Sequence, residues 1–199
     1  MKRFDRWCVV PLIALALCAT AALAQTNVRI RGTITAIDGN VLAVKSRDGR
    51  DLQIALADNV GVAVAKAIRF DEIKTGDYVG TTTRPGPDGT QVALEVHYLP
   101  PTVPEGQLAW DLEPGTLMTN ASVGSIVVAT GKRELTLNFK GGQQVVVVPE
   151  SAALVRAVPG TRGDLVVGEY VFIGAQAAAD GKLSAARVQV GKDGVKPPQ

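Results

Sequence analysis

His97 is the one histidine of the 199-residue chain, and an imidazole is the side chain best suited to moving a proton near neutral pH or to binding a transition metal. Either role needs partners. No second histidine exists, and both cysteines, Cys8 and Cys18, lie near the N-terminus. A metal site would therefore have to draw its other ligands from carboxylates, and no spaced cluster of these points to one. The preferred reading of His97 is structural, a strand-end residue that caps a packed edge. The Asp-Gly pairs at Asp38, Asp48, Asp88 and Asp180 could suggest calcium, but none of these opens a loop with the oxygen-ligand spacing of an EF-hand. Turn formation explains them.

The search for a nucleophile is equally short. Ser125 follows Gly124, but the second glycine of a nucleophile elbow is missing. No glycine-rich loop joins a strand to a helix, so phosphate binding by that device has no support. Asn120-Ala121-Ser122 matches a glycosylation sequon, a short pattern that arises by chance. Trp110, in Ala109-Trp110-Asp111-Leu112, is a large ring within a proline-rich segment. It reads first as an anchor for that segment and second as a contact for a partner or carbohydrate. No catalytic residue, cofactor or metal site emerges. His97, Tyr98, Trp110 and Asp111 are the candidate ligand or partner residues, because they stand around the segment that joins two halves of the chain.

Those halves are copies. Gly32-Thr33-Ile34 returns 92 positions later as Gly124-Ser125-Ile126, and Gly76-Asp77-Tyr78-Val79 as Gly168-Glu169-Tyr170-Val171. Asp88-Gly89 returns as Asp180-Gly181, and Ala93 and Val96 as Ala185 and Val188. A constant offset over a whole unit means a repeated domain. The repeated residues are glycines, turn pairs and alternating apolar positions, which build a scaffold. His97 falls opposite Gln189, and Trp110 has no counterpart, so the seam between the copies is where a specific site is expected.

Within each copy the period is two, that of half-buried strands. Val28 to Ile34 alternates, Asp38-Gly39-Asn40 turns the chain, and Val41, Leu42 and Val44 return. Leu52, Ile54 and Leu56 follow, then a separate run at Val60, Val62 and Val64. A helical turn is expected at Arg69 to Lys74, then strands at Tyr78 to Thr83 and Val92 to Leu99. The second copy repeats the plan, with Leu135, Leu137 and Phe139 in its second strand and a helical turn at Arg162 to Leu165. Val145 to Val148, an unbroken apolar run, reads as a strand buried on both faces or covered by a neighbour.

Six short strands per copy, with turns every eight to twelve residues, predict an all-β fold of two tandem small barrels. Each is OB-like, with its helical turn plugging one end, or else SH3-like or a split sandwich. The expected domains are a first barrel at 25–98, a proline-rich acidic linker at 99–118, a second barrel at 119–191 and a tail at 192–199. The linker has three acidic and no basic residues, while the stretch from Thr119 onward has nine basic and six acidic ones. This charge contrast predicts that the linker lies on the second barrel.

Residues 1–24 read as an export signal. Lys2, Arg3 and Arg6 precede an apolar run from Trp7 to Ala19, and Ala22-Leu23-Ala24 supplies a small-residue cleavage site. Cleavage after Ala24 would place the chain in the periplasm or outside the cell and remove both cysteines, so no disulfide is expected. The whole chain has 21 basic and 19 acidic residues, and losing the leader leaves 18 of each. A neutral, aromatic-poor chain lacks the basic groove and stacking platforms of a single-strand nucleic-acid binder. No later apolar stretch is long enough to span a bilayer.

The patterns Val28-Arg29-Ile30-Arg31-Gly32-Thr33-Ile34, Asp38-Gly39-Asn40-Val41-Leu42 and Gly76-Asp77-Tyr78-Val79-Gly80 resemble a family of secreted bacterial proteins of unknown function. The resemblance continues through Glu95-Val96-His97, Trp110-Asp111-Leu112 and Met118-Thr119-Asn120-Ala121, and so covers most of the chain. It implies tandem small β-barrels. Members often carry the label "metal ABC transporter permease", which this sequence gives no physical basis, because a permease spans the membrane repeatedly. The expected function is that of a non-enzymatic exported binding or interaction protein, its partner an envelope protein or a small solute. The alternative is a solute-binding or metal-ion-binding accessory of a transport system.

Overall fold

The computed structural model describes residues 26–197. The segment expected to be an export signal, with its expected cleavage site and both cysteines, lies outside the described residues. The fold is all-β. Strands β1 (Thr26–Asp38), β2 (Val41–Ser46), β3 (Asp51–Ala67), β4 (Tyr78–Pro85) and β5 (Gln91–Tyr98) make up the first copy. After β6 (Gly106–Ala109) the second copy contributes β7 (Leu117–Ala129), β8 (Lys132–Phe139), β9 (Gly142–Val147), β10 (Ala153–Pro159), β11 (Tyr170–Ala177) and β12 (Leu183–Val190).

The rings do not follow the copies. β1, β2 and β3 form an antiparallel meander, and the hairpin that closes it is β11–β12: β11 pairs with β1, and β12 runs parallel to β3. The second ring joins the meander β7–β8–β9 to the hairpin β4–β5, with β4 against β7 and β5 parallel to β9. A three-strand meander closed by a hairpin in this order is the Greek-key ring of an OB-like barrel. The topology thus decides against the SH3-like and split-sandwich alternatives. Each ring has five strands, and each takes its closing hairpin from the other copy. The segments 25–98 and 119–191 each supply strands to both rings, which differs from one barrel per copy.

The cores record the same exchange. One gathers Ile30, Ile34, Leu42, Val44, Ile54 and Val64 with Leu165, Val171, Ile173 and Val188. The other gathers Ala121, Val123, Leu135, Leu137 and Val146 with Phe70, Ile73, Val79 and Val96. Single-turn 3-10 helices at Phe70–Glu72 and Arg162–Asp164 stand where helical turns were expected, and in each the carboxylate of the last residue, Glu72 or Asp164, accepts from the backbone N–H of the residue before the turn, Arg69 or Thr161. Their apolar ends, Phe70 and Leu165, enter opposite cores.

The chain passes between rings along β3 and β10, which pair antiparallel. Ala65 faces Ala157 there, and the 92-residue shift carries one onto the other. The crossing pair therefore marks an approximate two-fold axis relating the copies. β3 is one strand of 17 residues and unites the two runs expected at Leu52–Leu56 and Val60–Val64. In the second copy the same path is broken into β9 and β10 around Pro149, which lacks an amide hydrogen to keep a ladder going.

Two further expectations change. Val145 is 50% exposed and Val146 fully buried, so the apolar run at Val145 to Val148 alternates as an outer strand of a ring rather than being covered on both faces. The Gly32–Gly124 match does not hold in space either. Ile34 and Val123 are the positions that exchange backbone hydrogen bonds with the Gly168-Glu169 and Gly76-Asp77 turns. In both first strands a bulge follows directly, between Ile34 and Ala36 in β1 and between Val123 and Ser125 in β7, so this part of the repeat is equivalent in space at a shift of 89 residues and not 92.

A candidate ligand site at the seam of the rings

The crossing strands create the site. β3 and β10 carry Gly61, Ala63, Ala65 and Ala157 where they pair with each other and with β12. Side chains this small leave space above the strands that a larger residue would fill. The segment from Leu99 to Met118 arches over that space and returns as β6, paired with the start of β7. The result is a cavity of about 910 Å³, within the range of small-molecule sites. Tyr98, Leu99, Val103, Leu108, Trp110 and Met118 supply apolar wall, and Asn120, His97 and Gln189 supply polar points. Arg156 and Arg187 are its charged lining residues, and no carboxylate lines it.

His97 is 4% exposed and fixed from behind. Its Nδ1 lies 2.6 Å from Oε2 of Glu95, which is itself 3% exposed. The other carboxylate oxygen, Oε1, accepts from the Thr82 amide at 2.8 Å and the Thr82 hydroxyl at 2.7 Å. The Thr81 hydroxyl donates to the Glu95 carbonyl at 2.6 Å. A buried carboxylate with three donors is satisfied, and it holds the imidazole in one orientation. The far edge of the ring lies on Gly80, where an added Cβ would stand 2.6 Å from both Cε1 and Nε2. Glycine at position 80 is therefore a requirement of the histidine's placement.

Tyr98 turns its hydroxyl away from the cavity, donating to Asp77 Oδ2 at 2.8 Å and approaching the Glu72 carbonyl at 3.1 Å. The Arg156 guanidinium stacks 4.3 Å above its ring. Partial burial, and then the hydrogen bond to Asp77, raise the phenol above its ordinary pKa, with Arg156 acting in the opposite sense. Trp110 is covered by the Arg29 guanidinium at 3.8 Å, a cation–π contact that anchors the ring.

Asp111 is directed elsewhere. It accepts from Arg31 at 2.8 Å and lies 3.7 Å from Arg29, while Arg47 donates to the Asp111 and Leu112 carbonyls at 2.5 and 2.7 Å. Partial burial works to raise the Asp111 carboxyl, but the bond and charge of Arg31, with Arg29 behind, hold it below its ordinary value. The acidic end of the linker is thus clamped on β1 and the β2–β3 turn. Its strand β6 lies on β7. The expectation that charge would place the linker on the second barrel fails for its acidic end, because contacts at 3–4 Å outweigh a net charge spread over distances that salt screens.

Of the four candidates, then, His97, Tyr98 and Trp110 meet at one cavity, and Asp111 pins the strap that carries Trp110. Gln189, the repeat counterpart of His97, lies on the same wall. Sequence reasoning missed Arg156 and Arg187. The only signal for Arg187 was its position two residues before Gln189 on a strand, which puts both on one face. The Trp110 indole N–H and the Gln189 carboxamide oxygen are buried without a hydrogen-bond partner. Among the described residues no group of three or more His, Cys, Asp or Glu side chains stands together.

No family model matches the chain, and neither the curated proteins nor the solved structures yield a match. The resemblance to the secreted tandem-barrel family rests on the residue patterns alone. No helix among the described residues is long and apolar enough to cross a membrane.

Proposed function

We propose that this chain is an exported, non-enzymatic binding protein that takes a small solute into the seam cavity. The observation that carries the reading is the cavity itself, about 910 Å³ with largely apolar walls and a few fixed polar groups, the usual composition of a ligand site. Its polar groups suit recognition more than catalysis. The imidazole is locked between Glu95 and Gly80, and the neighbouring hydroxyls of Thr81 and Thr82 are committed to Glu95. The metal-ion form of the accessory role has no donor set among the described residues, which leaves solute binding as the form with a site. Export follows from the leader pattern.

The test is a thermal-shift screen of small solutes on the purified protein and on an Ala157→Phe variant, which places a ring on the cavity lining. A ligand at a hundred times its Kd stabilises by about 2.7 kcal/mol. Binders are expected to raise the Tm of the parent and not of the variant. Equal shifts in both proteins, or none in the parent across a broad panel, would remove the cavity from the functional reading.

A further inference from the structure

Resting on the cavity reading, we infer that the seam site selects an amphipathic anion: an apolar body against Trp110, Leu108 and Met118, with its charged head held by Arg187 and Arg156. The lining is electrostatically one-sided, with two guanidinium groups and no carboxylate. The nearest acid, Glu95, lies outside the lining, behind His97, with its oxygens turned to the Thr82 amide and hydroxyl and to His97 Nδ1. The one-sidedness is a property of the site, because the exported chain is expected to have as many acids as bases.

The two arginines differ in how they are held. Arg156 is fixed by stacking on Tyr98 at 4.3 Å, and a guanidinium stacked this way keeps its edge N–H groups available for an oxyanion. Arg187 is exposed and makes no ion pair with another side chain among the described residues. Other cations of this structure are held by a carboxylate, Arg31, Lys45 and Lys192 among them. An exposed guanidinium at the rim of an apolar cavity is therefore the natural counterion for an entering anion. The unpartnered Trp110 N–H and Gln189 oxygen add a donor and an acceptor on the same lining, which a ligand with polar atoms next to its head would satisfy.

The repeat supplies an independent argument. A symmetric scaffold should present equivalent residues at equivalent places, yet the 92-residue shift sets Arg187 against Glu95 and Arg156 against Val64. At both positions the copy that faces the cavity has the cation. Charge has been placed where the two-fold relation is broken, at a cavity lined by strands of both rings.

The experiment uses the protein lacking residues 1–24 and three probes of equal chain length: decanoate, decanol and decyltrimethylammonium. Binding is followed by Trp110 emission, the only tryptophan signal once Trp7 is removed, and by Tm. Decanoate is expected to bind at least ten-fold more tightly than decanol and decyltrimethylammonium. Arg187→Gln should reduce that preference several-fold while leaving the ligand-free Tm within about 1 °C, since Arg187 is exposed and exposed substitutions of this kind change stability little. Comparable binding of all three probes would overturn the anion preference and keep the cavity reading. A preference for decanoate that survives both Arg187→Gln and Arg156→Gln would overturn the assignment of the head group to these arginines. If no probe binds, the cavity reading fails and the inference falls with it.

Discussion

Gly80→Ala is the most direct test of the way His97 is held. The new Cβ would stand 2.6 Å from His97 Cε1 and Nε2 and 3.1 Å from Leu99 Cδ1, where ordinary carbon contacts are about 3.5–4.0 Å. The ring cannot swing clear without losing its 2.6 Å contact with Glu95, and the backbone cannot yield without opening the Gly80–His97 step of the β4–β5 ladder. Overpacking a filled site costs about 1–3 kcal/mol, and losing a hydrogen bond to a charged group costs about 1.5–3 kcal/mol. Replacing glycine restricts the unfolded chain and returns about 0.4–1 kcal/mol. The net expectation is a loss of about 2–4 kcal/mol. For a chain of this length each kcal/mol moves Tm by about 2–4 °C, so a drop of roughly 4–16 °C is expected. Gly174→Ala is the control, because a Cβ there meets nothing within 4 Å. Thermal unfolding of the two variants and the parent by circular dichroism at pH 7 decides the matter. A Gly80→Ala protein melting within 2 °C of both others would refute the argument that the imidazole is pinned.

Three more outcomes can be checked. The exchange of hairpins puts Asn27 opposite Gln176 in β1–β11, so an Asn27→Cys/Gln176→Cys protein lacking residues 1–24, otherwise free of thiols, should oxidise to an intramolecular disulfide. One barrel per copy gives no reason for these residues to meet, and a pair that stays reduced under mild oxidant, by thiol titration, would exclude the interlaced rings. Asp111 is held below its ordinary pKa in the fold, so its contribution is present above pH 4 and is lost as pH falls through the folded value. Asp111→Asn should therefore melt with a shallower decline between pH 5 and pH 2 than the parent, and parallel Tm–pH curves would count against the clamp. Thr82→Val removes a hydroxyl that donates to buried Glu95 and should cost about 1–3 kcal/mol, read as a shift of the urea midpoint at unchanged slope; an unshifted midpoint would show that Glu95 does not depend on it.

Strand period, turn positions and the two helical turns were legible along the chain, because each is set by neighbours a few residues apart. Asp38-Gly39 and Asp180-Gly181 turn where glycine has positive φ, and Ile34, Leu42, Ile54, Leu135 and Leu137 are buried as their alternation required. The repeat also pointed to the seam as the place for a site, and His97, Tyr98 and Trp110 do meet there. What the sequence could not decide is which hairpin closes which ring. β4–β5 and β11–β12 have the same period-two faces, so each buries the same side chains whether it packs on its own meander or on the other copy's. Only the path of β3 and β10 across the two-fold settles that, and with it the cavity. Arg156 and Arg187 were illegible for the same reason: they are 31 residues apart on different strands, and they come to one lining only because the crossing strands and the Leu99–Met118 strap enclose it.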